Sequence, residues 1–402
     1  MSTIINSPNG GLAKGNVGNA NDFVGNPTDD YIYTSFGSKI FGSFGNDYID
    51  GGSTGTISDG ASTIDYSLLT GAATTLTAFS VNLATGIATF TVGASSYTQS
   101  LKNIDNVYGV TGKSGINTFT GNSNNNIFGA DGLSDTFVGG GGFDAVDFSS
   151  EKSGVTVDLS KGTAKIGTIS DKLTGISAVY GSTSASNTMT GDANNNVFLT
   201  GGKGDIVIGG GGIDTCAYKP SSSNILANAA SYSIGVTTSN QIYVGLAINP
   251  TVNVDILTNI QRLQFTDKNL AFDINGSAGT LTGNAGIVEK ILGAVFGQDS
   301  LQNQQYIGIG LSYLDKGTTY SQLVNLALVA QGLSTPSDVI TKVWNNILGA
   351  DPTQSQILNI ISSGISMNAF VMQAADSVFN TSHIDVVGIQ KHGLAYTPGI
   401  IY

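Results

Sequence analysis

Aspartate and asparagine recur at a fixed interval in this chain. Asn117, Asn126, Asp135 and Asp144 stand nine residues apart, and so do Asn187, Asn196, Asp205 and Asp214. The acidic side chains are almost all aspartate; Glu151 and Glu289 are the only glutamates. Aspartate is the short carboxylate that fits a tight glycine-rich turn, and carboxylates set among backbone carbonyls are ligands of hard divalent cations. A column of such residues could therefore do coordination chemistry. The competing reading is architectural, because amides in a repeated column form hydrogen-bonded ladders that need no metal. Four of these eight positions are asparagine, so both readings apply within one column.

Other chemistry is sparse. The only histidines, His383 and His392, fall near the end of the chain, and no H-E-x-x-H pair of zinc ligands exists. YGVTGKSG (108–115) ends like a phosphate-binding loop, but Val107 stands where its first glycine belongs. Its counterpart YGSTSASN (180–187) lacks the lysine, so a repeat junction is the expected reading. Paired carboxylates for glycoside hydrolysis are compatible with spacing alone, yet the turn pattern already accounts for the aspartates. Cys216 is the sole cysteine, which excludes an internal disulfide framework and a cysteine-rich zinc site. Its repeat partner is Val146, and a small core residue is expected there.

The elements that position the columns follow from what lies two residues beyond each member. These are Phe119, Phe128, Phe137 and Val146 in one block, and Met189, Phe198, Val207 and Cys216 in the other. One inward apolar side chain in a glycine-rich nonapeptide cannot make a helix. It suits a short strand and a tight turn, stacked as a parallel solenoid. A looser version near the start reads Asp22, Asp30, Ser38 and Asp47, followed by Val24, Ile32, Ile40 and Ile49. Between blocks, FSVNLATG (79–86) and VTVDLSKG (155–162) alternate with period two, as half-buried strands do. LKNIDNVYG (101–109), LTGISAVYG (173–181) and LTNIQRLQF (257–265) follow at comparable offsets. The predicted module is about 70 residues: four nonapeptides, a strand pair and a returning strand.

GSFGNDYID (42–50) and GGGGFDAVD (139–147), the VDLSKG strand and the closing LTNIQRLQFTDKNLAFDING (257–276) together resemble the secreted repeats-in-toxin proteins. The resemblance covers roughly residues 15–280 and implies a parallel β-roll that binds calcium between successive turns. Carried over position by position, it makes Asp47, Asp135, Asp144 and Asp214 the leading calcium ligands. Asp30 and Asp205 sit in shifted or broken glycine frames, and Asp131 lies in the GADG turn as an auxiliary ligand. The asparagines imply a few ions rather than a continuous row.

After about residue 284 the period becomes helical. Thr335-Pro336 and Asp351-Pro352 place capping side chains before a proline, and Thr319 with Gln322 makes a capping box. Val339, Ile340, Val343, Trp344, Ile347 and Leu348 recur at helical spacing before Gly349. AVFGQD (294–299) and NILGAD (346–351) suggest duplication, and about six short helices are expected. This half resembles a helical domain of unknown function that follows such repeats in exported bacterial proteins. The expected fold class is therefore mainly β with an α-helical C-terminal domain: a β-roll or β-solenoid followed by a small helical bundle. The expected segments are 1–14, which could pair with a neighbouring copy; 15–280; 281–382; and a tail, 383–402.

Composition narrows the partners. Only 11% of the 402 residues are charged, and the formal net charge is −12. Nucleic acid and anionic membrane both call for basic surface, so neither is expected. MSTIINSPNGG has no basic-then-apolar leader, and no run of eighteen apolar residues predicts a transmembrane segment. The family resemblance implies secretion to the exterior or cell surface by a type I, Sec-independent route, with the tail as its signal. The leading expectation is a non-enzymatic, self-assembling protein of a surface layer, fibre or biofilm matrix. A calcium-dependent adhesin bound to cell-surface polysaccharide, and a hydrolase with an unfamiliar site, are the alternatives.

Overall fold

The nine-residue period becomes three-residue strands separated by tight turns in a computed structural model. The structure describes residues 5–6, 22–24, 29–34, 37–52, 62–69, 76–110, 116–201, 203–218, 228–237, 240–249, 251 and 253–397. The chain is mainly parallel β-sheet with a helical region towards its end, and it divides into two units. One holds residues up to Ala217 together with Thr251–Asn259; the other holds Tyr218–Pro250 and Ile260–Tyr402.

In the first unit, successive nonapeptide strands alternate between two sheets. Asn117–Thr120 pairs in parallel with Thr136–Val138, and Ile127–Gly129 with Ala145–Asp147. Thr188–Thr190 with Ile206–Ile208, and Val197–Leu199 with Thr215–Ala217, repeat the scheme. A strand thus meets the one two nonapeptides later, which places column residues one above another. The predicted inward residues Phe119, Phe128, Phe137, Val146, Met189, Phe198, Val207 and Cys216 are fully buried, as are Ile32, Ile40 and Ile49. The Phe119 and Phe137 rings stack at 5.3 Å, and Phe119 meets Phe128 of the other sheet at 6.1 Å. Each such burial is worth about 1.5–3 kcal/mol, so one apolar residue per short strand can hold the stack.

The predicted strand pair becomes a three-stranded antiparallel meander, and the predicted returning strand crosses to the other sheet, where Ala178–Tyr180 pairs in parallel with Ala145–Asp147. Thr156–Asp158, Thr163–Ile166 and Ile169–Thr174 pair in succession. The last of the three, not the first, lies beside Thr136–Val138, and the first lies beside Thr188–Thr190. Leu76–Asn82, Ile87–Val92 and Ser95–Lys102 repeat the arrangement. Period-two alternation identifies such strands but carries no information on their order in a sheet. Ile5–Asn6 pairs antiparallel with Tyr31–Tyr33 of the same chain. The rest of the 1–14 segment lies outside the described residues.

The second unit begins well before residue 281. Two hairpins belong to it: Tyr232–Val236 with Ile242–Leu246, and Arg262–Gln264 with Asn269–Ala271. The helices are α1 (Asn284–Ile291), α2 (Gln304–Asp315), α3 (Tyr320–Ala330), α4 (Pro336–Leu348), α5 (Gln354–Ser362), α6 (Met367–Asp376), α7 (Val378–Thr381) and α8 (Val386–His392). Among the described residues these eight α-helices exceed the six expected because α7 and α8 are too short to show a period. Val288, Leu311, Val324, Val343 and Val371 join in the core. Buried Arg262 ties the β-hairpin to α2 through Asp315, at 2.7 and 3.1 Å, and also pairs with Asp273. Asp273 in turn accepts the Asn284 N–H at the start of α1, so the boundary falls before Arg262.

Thr319 with Gln322 forms the predicted capping box, Thr335 caps α4 with Pro336 at its start, and Gly349 ends α4 in the left-handed region. The Asp351-Pro352 expectation is corrected. Thr353 caps α5, closing a box with Gln356, while Asp351 accepts from the Asn345 side chain. A reciprocal box satisfies two free N–H groups, where an aspartate cap satisfies one. The expected tail contributes α8 and the strand Leu394–Tyr396, which pairs with Asn269–Ala271. Among the described residues, no single helix is long and apolar enough to cross a membrane.

Candidate cation-binding columns

Column residues are buried and tied vertically. The N–H of Asn117 donates to Asp135 Oδ1 at 2.9 Å, and the N–H of Asp135 donates to Asp171 Oδ1 at 2.9 Å. The N–H of Asn187 meets Asp205 Oδ1 at 2.7 Å, and Asp205 then meets Asp255 at 2.7 Å. On the other sheet, Asn126 donates to Asp144 and Asn196 to Asp214, each at 2.8 Å. Near the start, Asp30 donates to Asp47 at 3.0 Å. One carboxylate oxygen of each acceptor is therefore spent on the backbone of the previous turn. On the second sheet a glycine five residues before each of Asn126, Asp144, Asn196 and Asp214 makes room for it: a Cβ at Gly139 would collide with Asp144, and one at Gly209 with Asp214.

The second oxygen separates the sites, and at three of them the residue four positions earlier bears on its state. At Asp47 that residue is Ser43, whose hydroxyl donates to Oδ2 at 3.1 Å; the Gln99 amide adds a bond at 2.6 Å. At Asp205 it is Gly201, whose N–H donates to Oδ2 at 3.0 Å. At Asp135 it is Asp131, a carboxyl that can donate to Asp135 only while it holds a proton. Asp171 Oδ2 and Asp144 Oδ2 are buried without a hydrogen-bond partner. Asp131 itself accepts from Asn117 Nδ2 at 2.7 Å and from the Leu133 N–H at 3.2 Å.

Burial pushes the Asp131 carboxyl up, and the charge of Asp135 adds to it; burial likewise raises Asp135. Asp171 is pushed up to about 7 by burial, opposed by the Asp135 N–H and reinforced by the charges of Asp135 and Glu151. Glu151 is raised as well, by burial and then by Asp135. Asp131, Asp171 and Glu151 thus each feel the charge of Asp135. Buried Asp144, with the Asn126 N–H opposing, lies at about 6, and Asp214 is held at about 6 for the same reason with Asn196 opposing.

The seven predicted ligands are therefore unequal. Asp131 and Asp135 come together, Asp144 lies on the opposite sheet with a spare oxygen, and Asp214 repeats the position of Asp144. Asp47 and Asp205 have both oxygens engaged by protein donors, and Asp30 is buried one turn below Asp47. Among the described residues, no group of three or more acidic, histidine or cysteine side chains is placed to hold a metal ion. Carboxylates in pairs must draw on backbone carbonyls to reach the six or more oxygens that a calcium ion takes.

Sequence reasoning missed Asp171, Asp255 and Glu151. Asp171 and Asp255 precede the inward residues Leu173 and Leu257 by two positions, which is the column rule applied outside the nonapeptides. Glu151 carries no such signal. The asparagine runs explain themselves in the structure: Asn125 Oδ1 accepts the Phe143 N–H and Asn195 Oδ1 the Ile213 N–H, each at 2.8 Å, stapling one turn to the next without metal. Of YGVTGKSG, residues 111–115 lie outside the described residues. No family model and no curated protein sequence matches the chain.

Proposed function

We propose that this chain is a calcium-binding structural protein that acts outside the cell, and that its two-sheet stack is a β-roll of the repeats-in-toxin type. The carrying observation is the buried carboxyl of Asp131 beside that of Asp135. Asp135 acts by its charge on Asp131, Asp171 and Glu151. Asp171 Oδ2 is buried without a hydrogen-bond partner, and among the described residues the only side chain placed to donate to Asp135 from that side is Asp131 when it holds a proton. A divalent cation would neutralise these carboxylates and satisfy that oxygen; Asp144 would supply a second, weaker position on the other sheet. The ligand chemistry fits, because hard oxygen donors are what calcium selects over softer metals.

Self-assembly into a layer, fibre or matrix is the role we assign, with export by a Sec-independent route. Low surface charge and stacked short strands support association of copies. Calcium that binds only the folded form would also tie folding to the calcium-rich exterior. No catalytic role is part of the proposal. The exposed Tyr31 and Tyr33, packed against Tyr48, favour the adhesin as the second reading, since such rings could stack on polysaccharide.

Chelator-treated protein titrated with calcium is expected to melt at higher temperature as calcium approaches about 10 mM, well above the dissociation constants of extracellular sites. An unchanged melting curve would remove calcium from the reading. Dispersed monomers in negative stain, with and without calcium, would remove self-assembly. Retention of those monomers on cell-surface polysaccharide would install the adhesin instead.

A further inference from the structure

The helical unit contains an apolar cavity of about 300 Å³ between α1, α2 and α3. Val288, Ile291, Leu292 and Leu323 form buried parts of its wall, and Tyr306 and Leu326 stand exposed at its mouth. Small residues line it: Ala327 and Ala330 on α3, and Gly310 on α2, where a Cβ would meet the Val288 side chain. Leu323, Ala327 and Ala330 follow helical spacing, so a single stripe of α3 is apolar but undersized. A closed apolar cavity of roughly half this volume already takes up small hydrocarbons.

A second recess adjoins the first and shares Tyr313 and Leu326 with it. Its other lining residues are Thr318, Ser321, Gln322, Asn325 and Asn368, all polar and none charged. Neither recess has a charged side chain in its lining, on a chain of formal net charge −12. An anionic group there would meet long-range repulsion, and a cationic one would find no local partner. An uncharged group bearing several hydroxyls would find amide and hydroxyl partners.

We propose that the helical unit binds a single-chain amphiphile, its alkyl chain in the apolar cavity and an uncharged, hydroxyl-rich head over Ser321, Asn325 and Asn368. The residues involved all lie in the second unit, so the site stands or falls independently of calcium. Dodecyl maltoside, titrated calorimetrically below its micellar concentration, is expected to bind the full chain with one-to-one stoichiometry. Ala330→Trp at the exposed rim should weaken it at least tenfold with helix content and melting unchanged. Ser321→Ala combined with Asn368→Ala should weaken dodecyl maltoside several-fold while leaving 1-dodecanol unaffected. Dodecyl sulfate should bind at least tenfold more weakly than the maltoside. Equal binding by wild type and Ala330→Trp, or equal affinity for the two head groups, would overturn the proposal. So would a concentration-dependent dimer, lost in Ala330→Trp, in a chain that takes up no maltoside, because the recess would then receive a second copy.

Discussion

Asp131 is the residue on which the cation reading turns. Its equivalents Ser43 and Gly201 donate hydrogen bonds to the column carboxylate, whereas Asp131 can do so only by holding a proton, its carboxyl raised to about 8 by burial and by the charge of Asp135. Asp131→Ser is therefore expected to stabilise the metal-free chain at neutral pH by about 1–3 kcal/mol and to diminish the gain from calcium. Melting curves in chelator and in calcium would show both effects; a variant less stable in chelator would contradict them. Titration gives a second expectation. Asp171 and Asp47 are raised to about 7 and Asp144 to about 6, so the folded chain holds protons that the unfolded chain has lost. Their contribution is full below about pH 4 and is lost as pH rises through about 6–7. Metal-free protein should thus melt lower at about pH 8 than at about pH 5, with calcium narrowing the difference. Glu289 obeys the same sign: buried in α1 and raised by burial to about 8, it loses its stabilising proton at the alkaline end. Glu289→Gln should flatten the decline between about pH 4.5 and about pH 8, read from denaturant midpoints across that range.

At the element scale, the turns and caps carry most of the specificity. A methyl group at Gly139 would run into the Gly175 carbonyl and the Asp144 carboxylate. Gly139→Ala is accordingly expected to cost about 1–3 kcal/mol in the chemical denaturation midpoint, through overpacking of backbone that cannot retreat. Gly140 and Gly142, at φ of 102° and 96°, further require glycine in that turn. In the helical unit, the Thr353 and Gln356 box replaced the expected Asp351 start. Capping signals two residues apart are equally visible in a sequence, and only the reciprocal bonds choose between them.

At the scale of the whole molecule, calcium should act where the columns are. Hydrogen exchange on the full chain is expected to show added protection around residues 117–214 on calcium addition, with helices α1 to α6 unchanged. Protection confined to the helices would contradict the proposed site. The two units divide before Ile260, whereas the sequence expectation placed a boundary at residue 280. The change of period is visible there, but Arg262 belongs to the helical unit through Asp273 and Asp315, a contact with no sequence signature.

The sequence by itself determined the nine-residue strand-and-turn unit, the buried identity of Phe119, Phe137 and their equivalents, the asparagine-rich turns and the starts of α3 and α4. Each of these depends on neighbours within a few residues, where spacing and side-chain type suffice. Tertiary structure decided the order of the meander strands, the entry of Asp171 and Asp255 into the columns, and the exposure of Glu151 to the charge of Asp135. It also decided which column carboxylates are already satisfied. Those outcomes depend on donors brought from distant turns, and a buried oxygen is open to a cation only where no such donor arrives.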